Sequence, residues 1–136
     1  MTESLVVDAN PLLAALLGGS ARGVIFSGKF TFYAPQHTLF EVEKYLPRVA
    51  EKLGQPEADL FHAFQLLPVI PCQPRDYDSH IPQATGLIGS RDPKDVHVLA
   101  LALKLGLPIW THDRDFEGLP GVAVRTTGEM VAMLSG

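Results

Sequence analysis

Residues 92–113 read DPKDVHVLALALKLGLPIWTHD and join a helix pattern to a strand pattern. Asp92 is a residue type favoured at a helix N-cap and Pro93 one favoured in the first turn, and a glycine follows Leu105, so a helix is predicted over 92–105. Its interior is almost wholly apolar, so we expect burial on most sides. Residues 108–111 then predict a buried parallel strand. A helix that leads into such a strand is typical of an α/β fold.

The same alternation of short β-branched runs and longer helical runs extends along the rest of the chain. Further strands are predicted at residues 5–7, 30–34, 69–72 and 122–124. Further helices are predicted at residues 11–17, 20–27, 38–53, 57–66 and 127–134. The pattern predicts one domain over residues 1–136, a three-layer α/β/α sandwich with a mainly parallel central sheet.

Prolines and small polar residues give the predicted element ends. We expect Pro11 to open the first helix, Ser20 to cap the second and Pro47 to kink or split the third. Prolines on both sides of residues 69–72 predict an edge strand or an extended connector. Residues 76–87 have the weakest pattern, in which Pro82 can open a helix.

Composition indicates a protein that folds without disulfides or structural zinc. The chain has 136 residues, near the commonest domain size, and a single cysteine, Cys72, which we expect in the core. The N-terminus lacks the basic and apolar regions of a secretory signal, and no apolar stretch reaches the roughly 20 residues that span a bilayer. These features predict a soluble cytoplasmic protein with no membrane association.

The net charge of −4 is unusual for an enzyme that acts on nucleic acid, because phosphate contacts require Lys and Arg. Four of the acids are candidate site residues, and they account for this excess of negative charge. Without them, 11 basic side chains stand against 11 acidic ones. The charge therefore leaves an RNA substrate open and argues against tight, non-specific binding to duplex DNA.

Four acids fall where an open parallel sheet places its functional groups. Asp8 follows the first strand, and Asp113 lies two residues beyond strand 108–111. Glu41 lies in the helix after the second strand, and Asp95 lies in the first turn of the long apolar helix. Because sites in such folds form outside the carboxyl ends of strands, the four carboxylates can converge there.

Clustered carboxylates repel one another unless a cation lies between them. Hard divalent ions prefer oxygen ligands, and Mg²⁺ commonly combines a few carboxylates with water and phosphate oxygens. Such an ion can activate water and stabilise the leaving oxygen of a phosphodiester. The five histidines show no metal-ligand spacing. The acids therefore indicate hydrolysis that depends on a divalent metal.

Each acid also has a purely structural interpretation. Asp8 can cap the helix that follows, and Glu41 can be a solvated helix residue. Asp92 and Asp95 both suit a helix N-terminus. Asp113 and Asp115 can be turn residues. Only the joint spacing of the acids favours a site over these interpretations.

Four segments resemble the motifs of the PIN-domain family, over about residues 5–133. They are VVDAN at 6–10, APQHTLFEV at 34–42, DVHVLALA at 95–102 and LPIWTHDRDF at 107–116. Val96, His97 and His112 depart modestly from the residues usual at their motif positions. Asp92 and Asp95 both fit the third acid, and we prefer Asp95 because the alanine-rich helix follows it directly.

The resemblance implies a Mg²⁺- or Mn²⁺-dependent endoribonuclease with Asp8, Glu41, Asp95 and Asp113 as catalytic metal ligands. Asn10 and Thr111 would support the ligands or hold water, with Asp92 and Asp115 as auxiliary acids. The resemblance also implies a homodimer. An antitoxin protein would be a further partner, since many small members are toxins of toxin–antitoxin pairs.

Two other functions remain open at this stage. One is an RNA-binding or scaffolding module on the same fold with weak or no catalysis, suggested by the acidic balance and by the lack of an evident basic, aromatic-interleaved stripe. The other is a metal-dependent phosphohydrolase for small molecules. The segment Asp8-Ala9-Asn10 argues against it, because it lacks the second Asp that aspartyl-phosphate enzymes use.

Overall fold

The computed structural model describes residues 3–89 and 93–135 and contains one parallel sheet in these ranges. Its strands are β1 (Glu3–Val7), β2 (Phe30–Pro35), β3 (Val69–Cys72), β4 (Ile109–Trp110) and β5 (Val124–Arg125). The strand order is β3-β2-β1-β4-β5. The chain builds outward from β1 to one edge and then returns to build the other side. The order therefore reverses between β1 and β4, which is where open α/β sheets form their crevice.

Helices connect the strands, as parallel pairing requires. In the described ranges they are α1 (Ala9–Leu17), α2 (Ser20–Ile25), α3 (Gln36–Leu53), α4 (Glu57–Gln65), α5 (Ile81–Ile88), α6 (Pro93–Leu105) and α7 (Thr127–Leu134). Short 3₁₀ turns occur at Pro74–Asp76, Asp78–His80 and Arg114–Phe116. None of the helices in these ranges is long and apolar enough to cross a membrane.

Apolar side chains cover both faces of the sheet. Successive strand residues point to opposite faces, so Leu5 and Val7 of β1 lie on one face and Val6 on the other. The first face, which includes the fully buried Trp110, packs against α1–α4 and α7, and the second packs against α5 and α6. The expected three-layer α/β/α sandwich is confirmed. The apolar interior of α6 is buried as predicted.

One of the two alternatives predicted for Pro47 and one predicted helix cap were wrong. Pro47 does not split α3, which continues from Gln36 to Leu53. The buried side chains of Val42, Leu46 and Val49 hold this helix against the core on both sides of the proline, so packing outweighs the lost hydrogen bond. Ser20 does not cap α2 but is its first residue, because Gly19 takes the extended N-cap conformation.

Two element ends also differ from prediction. Helix α1 begins at Ala9 rather than Pro11, because Asp8 caps it, and Pro11 still lies in the first turn, where its missing N–H costs no bond. Strand β5 pairs through Val124 and Arg125 rather than over 122–124. The predicted N-cap Asp92 lies outside the described residues.

Three further expectations are confirmed. Strand β3 lies at the edge of the sheet. Cys72 at its end is a free, buried thiol. Pro82 lies in the first turn of α5.

A glycine at the end of α1 and another inside α2 allow a matched test of where α1 ends. Gly18 ends α1 with φ 95°, whereas Gly23 lies inside α2 with open space at its Cβ position. We expect Gly18→Ala to destabilise the protein by about 1 kcal/mol, because an L side chain is strained in the left-handed region. Gly23→Ala should stabilise it by about 0.5–1 kcal/mol. Urea unfolding measures both changes, and shifts of the same sign would contradict this assignment of the helix end.

Candidate active site

Asp8 is fixed by two hydrogen bonds at the end of β1. Its Oδ1 accepts a 2.8 Å hydrogen bond from the backbone N–H of Ala9, and its Oδ2 accepts one of 2.7 Å from the Thr111 hydroxyl. The residue is 8% exposed. Asp8 therefore serves both as the N-cap of α1 and as a buried carboxylate at a strand end, so the two interpretations of this residue are compatible.

Thr111 connects the two acids that follow β1 and β4. Its buried hydroxyl donates to Asp8 and accepts a 2.9 Å hydrogen bond from the backbone N–H of Asp113. The Asp113 Oδ1 atom in turn accepts a 2.8 Å hydrogen bond from the Asp115 N–H, within the turn Arg114–Phe116. The loop after β4 is thus held in a conformation that directs Asp113 toward Asp8.

Asp95 completes a cluster of three carboxylates from three different elements. It lies in the first turn of α6 and is 6% exposed. One oxygen of Asp8, one of Asp95 and one of Asp113 all lie within 4.8 Å of one another. The cluster, called the aspartate triad below, forms at the β1–β4 crevice, where the strand order reverses.

The surroundings of Asp8 disfavour its charged form. Burial is the main cause that raises the pKa of this carboxyl, and the nearby charge of Asp113 raises it further. The hydrogen bonds from Thr111 and Ala9, together with His112, act in the opposite direction but do not offset the burial. A divalent cation among the three carboxylates would relieve this repulsion.

Glu41 does not join the aspartate triad. Its Oε1 lies 3.5 Å from His37 Nε2 within α3, and its Oε2 lies 3.7 Å from Lys94 Nζ at the start of α6. Its side chain is only 17% exposed. Glu41 thus faces the end of α6 that carries Asp95, and its predicted role as a metal ligand stays a prediction.

The auxiliary residues fall in different places. Asn10 is exposed as the second residue of α1. Asp115 is half-buried, and its backbone N–H supports Asp113. Asp92 lies outside the described residues, so its choice as an alternative to Asp95 stays open. Of the predicted supporting residues, Thr111 contacts the triad most directly.

A pair of stacked histidines beside the site was missed by the sequence interpretation. The rings of His37 and His97 are 4.3 Å apart and nearly parallel, and the Tyr77 hydroxyl makes a 2.8 Å hydrogen bond with His97 Nδ1. Burial and the neighbouring His37 lower the pKa of His97. The two histidines are 60 positions apart in the sequence and meet only by contact between α3 and α6, so their spacing in the chain gives no sign of the pair. The sequence does place His37 four residues before Glu41 and His97 two residues after Asp95, and this closeness to predicted site acids could have drawn attention to them.

The PIN-domain family model matches residues 6–135, which include the whole site. The chain belongs to the PIN-domain family. Members of this family are nucleases, so the aspartate triad of this PIN domain lies in a nuclease fold.

Three solved structures of low sequence identity share the fold. VapBC2 from Rickettsia felis, bound to a DNA fragment from its promoter, aligns with a TM-score of 0.69 and 11% identity, over 90% of this chain and 98% of that chain. A toxin–antitoxin complex from Klebsiella pneumoniae aligns with a TM-score of 0.67 and 21% identity, over 90% and 97%. DNA-bound VapBC from Salmonella typhimurium aligns with a TM-score of 0.68 and 17% identity, over 93% and 99%. No curated protein gives a significant match.

Replacement of Thr111 tests the hydrogen bonds that hold the triad. Thr111→Val should lower the free energy of unfolding by about 1–3 kcal/mol, because it leaves a buried carboxylate oxygen and a backbone N–H without their partner. Thr111→Ser keeps the hydroxyl and should recover most of this loss. Urea denaturation compares the two variants with the wild type. Equal stability of the Val and Ser variants would show that these hydrogen bonds contribute little.

Replacement of Asp8 tests the cost of its buried charge. Because the folded-state pKa of Asp8 is raised, its ionised carboxyl destabilises the fold at neutral pH, and this cost disappears as the pH falls toward the ordinary value of 3.8. With a chelator present, the stability of Asp8→Asn relative to the wild type should therefore be more favourable at pH 7 than near pH 4. Urea unfolding across this range measures the difference. A relative stability that is constant or improves toward acid would contradict the raised pKa.

Proposed function

We propose that this PIN-domain protein is a metal-dependent endoribonuclease and that it acts as the toxin of a toxin–antitoxin pair. The observation that carries the enzymatic part is the aspartate triad: three carboxylates, two of them buried, within 4.8 Å of one another at the crevice of the sheet. A purely structural role does not account for this arrangement, because the ionised carboxylates repel one another.

The donor set fits Mg²⁺ or Mn²⁺. All three side chains offer carboxylate oxygens, the ligands that these ions prefer. One ligand oxygen from each side chain lies within 4.8 Å of the other two, close enough for a single ion to contact all three. When bound, the ion would lower the pKa of a water molecule and offset the negative charge that develops on a phosphodiester.

The protein's own residues would hold this site rigid. Ala9 and Thr111 fix both oxygens of Asp8, and the Asp115 N–H fixes one oxygen of Asp113. Fixed ligands reduce the reorganisation that catalysis requires. Glu41 is retained as a fourth candidate ligand because it faces the N-terminal end of α6. Its interaction with Lys94 would also position that cation near the scissile phosphate.

The proposal of a toxin is supported by the three structures above. One is a toxin–antitoxin complex and two are VapBC assemblies bound to DNA, and this chain covers 97–99% of each aligned chain. We infer from the fold and the family resemblance that an antitoxin protein binds this chain. We infer further that the chain forms a homodimer, which light scattering of the purified protein would test.

Cleavage of RNA tests the enzymatic proposal. The wild type should cut single-stranded RNA in Mn²⁺ or Mg²⁺ and should lose this activity in EDTA. Asp8→Asn and Asp113→Asn should each lower the rate at least a hundredfold, an effect of the size seen when charge stabilisation is removed from an active site. The matched control is Asp59→Asn, an exposed acid on α4. Full activity in either triad variant would refute the assignment.

Growth of cells that express the protein tests the toxin proposal. Expression of the wild type should arrest growth, and expression of Asp8→Asn to the same level should not. The Asp59→Asn control should arrest growth like the wild type. Normal growth with an active wild-type enzyme would favour RNA processing over a toxin.

A further inference from the structure

A groove of about 660 Å³ runs along α3 and reaches Lys94 at the start of α6. We call it the α3 groove and define it by His37, Phe40, Lys44, Tyr45, Arg48 and Lys94. All but one of these residues come from α3, at helical spacings that place them on one side of the helix. Lys94 comes from the start of α6.

The α3 groove reaches the first turn of α6, which carries Asp95 of the triad. Glu41 also lines it, and this residue lies 3.7 Å from Lys94, which directly precedes Asp95 of the triad. The groove therefore runs along α3 from the end of α6 that carries Asp95 toward Arg48. Glu41 and Arg48 are seven positions apart on the helix, so this part of the groove is about 10 Å long.

The charge of the α3 groove differs from that of the whole chain. Three cations, Lys44, Arg48 and Lys94, line it against two carboxylates, Glu41 and Glu43. The complete chain has a net charge of −4. A local excess of positive charge beside an acidic centre suits a phosphate backbone, whose affinity depends on such contacts.

The α3 groove also presents exposed aromatic rings. Phe40 is 55% exposed and Tyr45 is 39% exposed, although large apolar side chains are usually placed in the core. The Arg48 guanidinium lies 5.6 Å from the centre of the Tyr45 ring. Aromatic rings and guanidinium planes are the two surfaces on which unpaired bases stack.

We propose that the α3 groove binds single-stranded RNA and leads it into the aspartate triad. Lys44 and Lys94 contact the phosphates, and the Tyr45–Arg48 pair supports a base by stacking. Duplex RNA is excluded as the preferred ligand because its bases are already stacked on one another. The identity of the strand as substrate rests on the proposed endoribonuclease function, whereas binding by the groove can be measured without cleavage.

Fluorescence anisotropy with a fluorescein-labelled, mixed-sequence single-stranded RNA of 12 nucleotides tests the proposal. All proteins carry Asp8→Asn to prevent cleavage. Tyr45→Ser should weaken binding roughly 5- to 150-fold, as expected for a lost stacking contact, and Tyr45→Phe should bind like the parent. Lys44→Gln should reduce the slope of log affinity against log salt by about 0.7, the value for one phosphate contact on a single strand.

Matched controls lie outside the α3 groove. Phe61→Ser removes an exposed ring from α4, and Lys104→Gln removes an exposed cation from the far end of α6. Both should bind RNA like the parent. Thermal melts check that each variant remains folded. We expect folding to be retained because each substituted side chain is exposed. The proposal is overturned if Tyr45→Ser and Lys44→Gln bind as well as these controls, or if duplex RNA of the same length binds more tightly than the single strand.

Cleavage assays separate this proposal from the enzymatic one. In the active background, Tyr45→Ser should raise KM and leave kcat nearly unchanged. If the wild type binds single-stranded RNA through these residues but does not cut it, the endoribonuclease proposal fails and the binding site stands. If the wild type cuts RNA and Tyr45→Ser keeps both the parental affinity and KM, the binding site is refuted and the endoribonuclease stands.

Discussion

The hydrogen bond from the Thr111 hydroxyl to Asp8 Oδ2 joins the carboxyl ends of β1 and β4, the two strands between which the sheet reverses its order. Both residues are almost fully buried, so the 2.7 Å contact depends on the correct pairing of β1 with β4. The same hydroxyl accepts the N–H of Asp113, which directs the second acid toward the first. The fold and the site therefore share one contact between residues that are distant in the sequence.

The carboxylates of the aspartate triad repel one another, and neighbouring groups in the site offset part of this repulsion. Asp8 is buried and near another carboxylate, so its charge is unfavourable in the absence of a cation. Two short hydrogen bonds and the dipole at the start of α1 compensate in part. Asp95 lies at the start of α6, where the helix dipole has the same effect. Under the proposed function, a bound divalent ion would offset this electrostatic cost, and the metal-free protein would be the less stable form.

Local sequence patterns were enough to predict most helices, strands and the acids at their ends. The contacts between helices that complete the site could not be predicted in this way. Asp8, Asp95 and Asp113 were identified because each stands at a strand end or a helix start, positions that are visible from neighbouring residues. The contacts of Glu41 with His37 and Lys94 could not be predicted, because the second of them depends on how α3 packs against α6. The continuity of α3 through Pro47 was missed for a related reason, since packing on both sides of a proline does not appear in its local pattern. The α3 groove could not be recognised from the sequence either. Its cations and rings form one surface only when α3 is folded and Lys94 of α6 lies beside it.

Calorimetric titration of Mn²⁺ tests the central claim most directly, because it measures metal binding without reference to a substrate. The wild type should bind Mn²⁺ saturably, and Asp95→Asn should weaken this binding at least tenfold, which is about 1.4 kcal/mol. Asp59→Asn, which removes an exposed carboxylate from α4, should bind like the wild type. No saturable binding by the wild type, or equal binding by Asp95→Asn, would contradict the assignment of the aspartate triad as a metal centre.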